Sequence, residues 1–216
     1  MEWSRSRERR TGQPDPRVLL PVTQVSIVLV GLAVLSLLGI SPARGLRTNL
    51  ALDAGARGEK DRAAQELDRL AQETPDKAAC WLRAGRALVE DGRAREGAER
   101  LARATALDPT SVTARYDEAK ALMAAGLDDE AETVLKALFE RMPDHADGLF
   151  LYSAIAAARG DASEATSRFR AALDVGYSTY EHWRAETRFD RIRDEPAFLE
   201  VADAARTRDA FRGAQP

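Results

Sequence analysis

The chain has 216 residues and a formal net charge of −3, so no strong positive field is available to gather nucleic acid. One cysteine, Cys80, excludes an internal disulfide, and with only His145 and His182 beside it a Cys/His zinc site is excluded as well. The length leaves room for one domain with an appendage.

Residues 1–17 form a basic stub, with five arginines against Glu2, Glu8 and Asp15. Val18 to Ile40 follows without a charged residue, long enough to cross a bilayer as a helix. Pro21, Thr23 and Gln24 lie near its start, and arginines flank both ends. The stub's arginines favour an N-terminus in the cytoplasm, which places the rest of the chain outside, in the periplasm of a diderm bacterium. The segment therefore predicts a permanent single-span anchor. Two alternatives stand beside it: cleavage of a signal peptide near Ser41, Pro42 and Ala43, against which the length of the apolar run speaks, and an anchor in the reversed orientation.

Beyond Ala43 the chain is periodic. Gly58, Gly92, Gly126 and Gly160 recur every 34 residues; so do Pro75, Pro109 and Pro143, and the small residues Ala63, Gly97, Ala131 and Ala165. A 34-residue period is that of a helix-turn-helix unit that stacks into a solenoid. In the clearest unit, Ala79 to Glu90 carries Trp81, Leu82, Ala84, Gly85 and Leu88 at helical spacing and ends at Asp91-Gly92. A second helix, Ala94 to Leu107, stops at Asp108-Pro109, because proline disfavours helical geometry in the residue before it. The units at 112–143 and 146–177 repeat the plan, the former with Arg115 in the tryptophan place, and Asp161 with Glu164 predicts a capping pair. A unit at 44–75 is the weakest. Gly85, Ala119, Ala131 and Ala165 predict close helix contacts, where a leucine at Ala131 would overpack by about 1–3 kcal/mol.

Trp81, Gly85, Ala104 and Pro109 stand where the tetratricopeptide repeat places its tryptophan, glycine, alanine and proline, and the pattern resembles that family over about 134 residues. The resemblance implies an all-α protein: a right-handed solenoid of four repeats over 44–177 behind the transmembrane helix at 18–40. Past Tyr177 the grid is lost. Phe189 to Leu199, with Arg193, Asp194, Pro196 and Phe198, resembles a closing segment of bacterial tetratricopeptide arrays. It predicts a capping segment over 178–208, with a helix from Pro196 to Arg208, in which Phe189, Ile192, Phe198, Leu199 and Val201 cover the last repeat. Residues 209–216 read as a disordered tail.

In this family the first helix of each repeat lines a groove. The groove-side candidates are Arg83, Arg86, Tyr116, Lys120 and Phe150, a set that suits an acidic or extended peptide. Leu82 and Asp117 depart from the family's carboxylate-clamp set. No phosphate-cradling glycine loop and no G-x-S-x-G elbow occurs, and the acidic pairs Asp128-Asp129 and Asp194-Glu195 read as helix starts. Cys80 reads as a small buried hydrophobe and His145 as a surface loop residue. The expectation is a non-enzymatic, membrane-anchored adaptor with no metal, no small-molecule cofactor and no nucleic-acid partner. It would hold a protein or peptide, and its architecture resembles single-span factors of envelope assembly, secretion or cytochrome maturation. An accessory subunit of an enzyme complex and a self-associating structural module stay open.

Overall fold

A computed structural model describes residues 42–177 and 180–213. The basic stub and the expected span at 18–40 lie outside them; no helix among the described residues is long and apolar enough to cross a membrane. Contacts divide the chain into two units, 1–47 and 48–216. Of the first unit only 42–47 are described, as the opening turns of helix α1.

The described residues form ten α-helices and no strand: α1 (Pro42–Ala56), α2 (Lys60–Glu73), α3 (Ala78–Glu90), α4 (Ala94–Leu107), α5 (Val112–Ala124), α6 (Asp128–Phe139), α7 (Ala146–Arg159), α8 (Ala162–Asp174), α9 (Tyr180–Ala185) and α10 (Pro196–Gly213). A 3-10 helix, Thr187–Arg191, lies between the last two. The helix α10 runs past Arg208 to Gly213, into the stretch expected to be disordered.

The glycine grid has a geometric cause. Gly58, Gly92, Gly126 and Gly160 have φ between 76° and 86°, and the off-grid Gly176 has 103°. Each closes its helix with the same pair of bonds. At Gly92 the glycine N–H donates to Val89 O (3.0 Å) and the next N–H, of Arg93, to Leu88 O (2.9 Å). This is the Schellman closure, whose left-handed residue glycine adopts without a Cβ penalty. Gly85 and Gly97 serve another purpose. A Cβ on Gly85 would sit 2.5 Å from Leu101 Cγ and 2.9 Å from Gly97 O, so α3 and α4 meet backbone to backbone there. Ala119, Ala131 and Ala165 are fully buried at the other close approaches.

The helix starts are mixed. Ser111 Oγ accepts from Ala114 N (3.1 Å) and Asp161 Oδ1 from Glu164 N (3.0 Å). Only half of the expected capping pair forms: the Glu164 carboxylate turns to Arg168 Nε (2.8 Å). His145 is no idle loop residue. Its Nδ1 accepts from Gly148 N (2.9 Å) and caps α7, and its ring lies 5.1 Å from that of Tyr116. Cys80 is half-buried.

The grid does not end at Tyr177. First helices begin at 78, 112, 146 and 180, and second helices at 60, 94, 128, 162 and 196, each 34 residues apart. The capping segment is a degenerate fifth repeat. Trp183 stands three periods after Trp81 and is buried. Two things hide this in the sequence: Asp194 occupies the glycine place, and the buried face of α10 (Phe198, Ala202 and Ala205) is one residue out of register with Ala165, Phe169 and Ala172. Phe189, Ile192, Phe198 and Val201 are buried as expected of a cap, whereas Leu199 is 47% exposed.

Candidate functional site

Helices α1, α3 and α5 form a groove whose floor is completed by side chains of α2 and α4. Its first part, about 370 Å³, has Leu52, Gly55, Ala63, Leu67 and Ala87 as apolar lining and Arg83, Arg86 and Glu90 as polar lining. Its second part, about 180 Å³, lies between α3 and α5 against Val89, Asp117, Lys120 and Ala121. Arg86 and Glu90 belong to both parts, so the two are contiguous.

Helix α3 sets Arg83 and Arg86 one turn apart on the exposed side, opposite buried Trp81, Ala84 and Leu88. Arg86 Nε donates to Asp117 Oδ2 on α5 at 2.5 Å, and Asp117 is largely buried. Arg83 and Lys120 carry no ion pair among the described residues and are exposed. The groove thus offers two uncommitted cations beside one already tied across it. Tyr116 lines neither part of the groove and lies half-buried against His145; burial, with Asp147 and Asp117 nearby, pushes its phenol up to about 12, so it is neutral at physiological pH.

Phe150 is not on this surface. It is 8% exposed and stacks on Tyr177 (ring centroids 4.4 Å), with Phe189 at 5.7 Å and Phe169 at 6.0 Å. The reason lies in the fifth repeat. Its 3-10 helix packs on α7, and ten consecutive residues of that helix, Gly148 to Ala157, are buried. Ala154, one period after Lys120, is in this core, and Leu151, one period after Asp117, is buried in the neighbouring cluster with Leu101, Ala119 and Leu135. Arg188 holds the segment down: Nη1 donates to both Asp128 carboxylate oxygens (2.8 Å each) and Nη2 to Met123 O (2.7 Å). Arg191 Nη1 donates to Ala158 O (2.9 Å).

Of the five expected residues, then, Arg83, Arg86 and Lys120 share the groove, Tyr116 packs against His145 outside its lining and Phe150 is in the core. Asp117, Glu90, Leu52 and Leu67 were missed. Asp117 was legible, because it lies one period after Arg83; the others depend on how α1 and α2 pack. Outside the groove, Glu132 is the centre of a structural network. Glu132 accepts from Lys136 Nζ (2.6 Å), Arg159 and Tyr152 OH (3.0 Å), and these partners hold its carboxyl down at about 2. Burial pushes the Glu118 carboxyl up, against the opposing pull of Thr105 and Arg115. No group of three or more His, Cys, Asp or Glu side chains among the described residues could hold a metal ion.

Residues 88–155 match the family model of the tetratricopeptide repeat. No curated protein matches the sequence. Among solved structures, MamA (residues 41 to the end) from Desulfovibrio magneticus RS-1 is 17% identical with a TM-score of 0.63, covering 78% of this chain and 98% of that one. TTC0263, a thermophilic tetratricopeptide protein of Thermus thermophilus, is 18% identical with a TM-score of 0.58, covering 77% and 89%. YrrB, described as having an unusual peptide-binding site, is 19% identical with a TM-score of 0.55, covering 74% and 82%. These likenesses show the fold: the described helices form a solenoid of the tetratricopeptide type.

Proposed function

We propose that this chain is a membrane-anchored, non-catalytic scaffold that holds an extended, acidic segment of a partner protein in the groove along α1, α3 and α5. The carrying observation is the pair of unpaired cations, Arg83 and Lys120, over an apolar floor that ends where the fifth repeat covers α7. Apolar side chains of the partner supply affinity from the Leu52, Leu67 and Ala87 floor, and carboxylates reaching Arg83 and Lys120 supply orientation and selection. YrrB's described peptide-binding site supports the mode and says nothing of the ligand. Val18 to Ile40 supplies the anchor and the outward orientation in this reading.

Photo-crosslinking in intact cells tests it. A crosslinker in place of Ala87, in the groove, should trap one defined partner, and one in place of the exposed Arg69 on α2, outside it, should not trap that partner. Arg83→Ala with Lys120→Ala should lower the yield at least several-fold without changing the thermal midpoint. Equal yields from both positions, or an indifferent double variant, would reject the groove as the binding surface. A cysteine in place of Ala210, in a Cys80→Ser background, reports the topology: labelling by an impermeant thiol reagent before lysis is expected, and protection until lysis reverses the orientation.

A further inference from the structure

The second helices form a ridge opposite the groove, and the ridge is not uniform. Between α2 and α4 it is bridged: Arg100 donates to Asp68 through Nε (2.6 Å) and Nη2 (3.2 Å), with both side chains more than four-fifths buried. One period later the same two places hold Ala102 and Val134. A further period on they hold Lys136 and Arg168, long side chains engaged with Glu132 and with the Tyr152 ring. Only the α4–α6 step among these three carries two short apolar residues, and a cleft of about 410 Å³ opens there.

Ala98, Ala102, Leu122, Leu127 and Val134 give the cleft its apolar lining. Its polar lining is unbalanced: Glu99, Glu118 and Glu130 stand against Arg95 alone. Glu99 and Glu130 are exposed, Glu99 at 3.6 Å from Arg100, and Glu118 is half-buried. An apolar hollow of this size admits two or three aliphatic side chains, and the excess of carboxylate selects a cationic neighbour for them.

We propose that this cleft is a second docking surface, distinct from the groove, which takes apolar side chains flanked by lysine or arginine from a partner protein. The two surfaces then have opposite charge preferences, acidic for the groove and basic for the ridge, so the solenoid can hold two different segments at once.

The test uses the full chain in mild detergent and two blocked synthetic heptapeptides, Lys-Leu-Ala-Lys-Leu-Ala-Lys and its glutamate counterpart. Methyl NMR should show the lysine peptide shifting Leu122, Leu127 and Val134 while leaving Leu52 and Leu67 in place. The preference for lysine over glutamate should be at least tenfold in low salt and shrink as salt is added. The double change A102D/V134R rebuilds the neighbouring bridge inside the cleft and should weaken binding at least tenfold with the thermal transition retained. E99K/E130K alters only exposed positions and should reverse the peptide preference even if the bridged variant fails to fold. Shifts confined to the groove methyls, no shift at all, or indifference to both variants would overturn the proposal. So would a dimer, seen by sedimentation, that the bridged variant dissolves, which makes a second copy the occupant. Cleft methyls that move when residues 1–17 are deleted, without peptide, would assign the site to the chain's own basic stub.

Discussion

The two ends of the repeat array are built from different material. The cluster around α1–α4 is made of alanine and leucine with one aromatic ring, Trp81. The cluster around α7–α10 brings six rings together: Phe150, Phe169, Tyr177, Trp183, Phe189 and Phe198. Helices joined by small side chains approach closely and leave short, open faces, and there the groove lies. Rings hold irregular segments by area instead, which is what a short helix, a 3-10 turn and a shifted α10 require. Leu50 and Leu52 on α1 stay 56% and 47% exposed, while Trp183, Phe189, Ile192, Phe198 and Val201 of the fifth repeat are covered. One end is finished and the other presents surface.

That contrast is broken most severely at Phe169. Its ring lies within 6.0 Å of those of Phe150, Trp183, Phe189 and Phe198 and is fully buried. Phe169→Ala should cost about 3–5 kcal/mol in urea unfolding. Hydrogen exchange should rise first in residues 180–213, with α3 and α4 still protected, because stacked repeats lose structure locally. Equal loss of protection at both ends would show that the array unfolds as a unit and that the contrast in packing has no energetic counterpart.

How far the sequence discloses this contrast depends on which residues repeat. Turn glycines and closing prolines repeat because backbone geometry demands them, and they made four repeats and their boundaries readable. The fifth repeat was unreadable for the opposite reason: its contacts are made by rings whose positions need only roughly agree, and Asp194 replaces the glycine. Phe150 shows the consequence for the site. It stands on a first helix, where a groove residue belongs, and the packing of Phe169, Tyr177 and Phe189, up to 39 positions away, makes it core. Arg83, Arg86 and Lys120 were legible because nothing distant covers them. Asp117 was legible too, one period after Arg83; that it ties up Arg86 requires knowing that α3 and α5 stand side by side.

The junction between the two halves sharpens the comparison through pH. Glu132, on α6, joins Lys136, Arg159 and Tyr152, and its carboxyl is held at about 2 against an ordinary value of 4.5. A carboxyl depressed in the folded state contributes stability above its unfolded value and loses it as pH falls through the folded one. Glu132→Gln should therefore cost on the order of 2 kcal/mol at pH 7. The gap from the wild type should narrow as pH drops from 4.5 towards 2. A gap that stays constant over this range in denaturant titrations would mean that the glutamate acts through packing alone.

The smallest effect tests whether the two regions follow one rule at their join. Trp81 Nε1 donates to Pro75 O at 3.0 Å, which ties the start of α3 to the proline that closes the previous unit. One period on, Arg115 Nη1 donates to Pro109 O at 2.5 Å. The arginine that departs from the repeat pattern keeps the pattern's hydrogen bond, with a longer and charged donor in place of the indole. Arg115→Ala removes the bond and should cost about 0.5–1.5 kcal/mol. Arg115→Trp restores the donor and adds apolar area, so it should leave the thermal midpoint unchanged or raise it. A tryptophan variant less stable than the alanine variant would mean that the pocket at 115 has lost the shape of the one at 81. The periodicity of this join would then reside in its backbone turns alone.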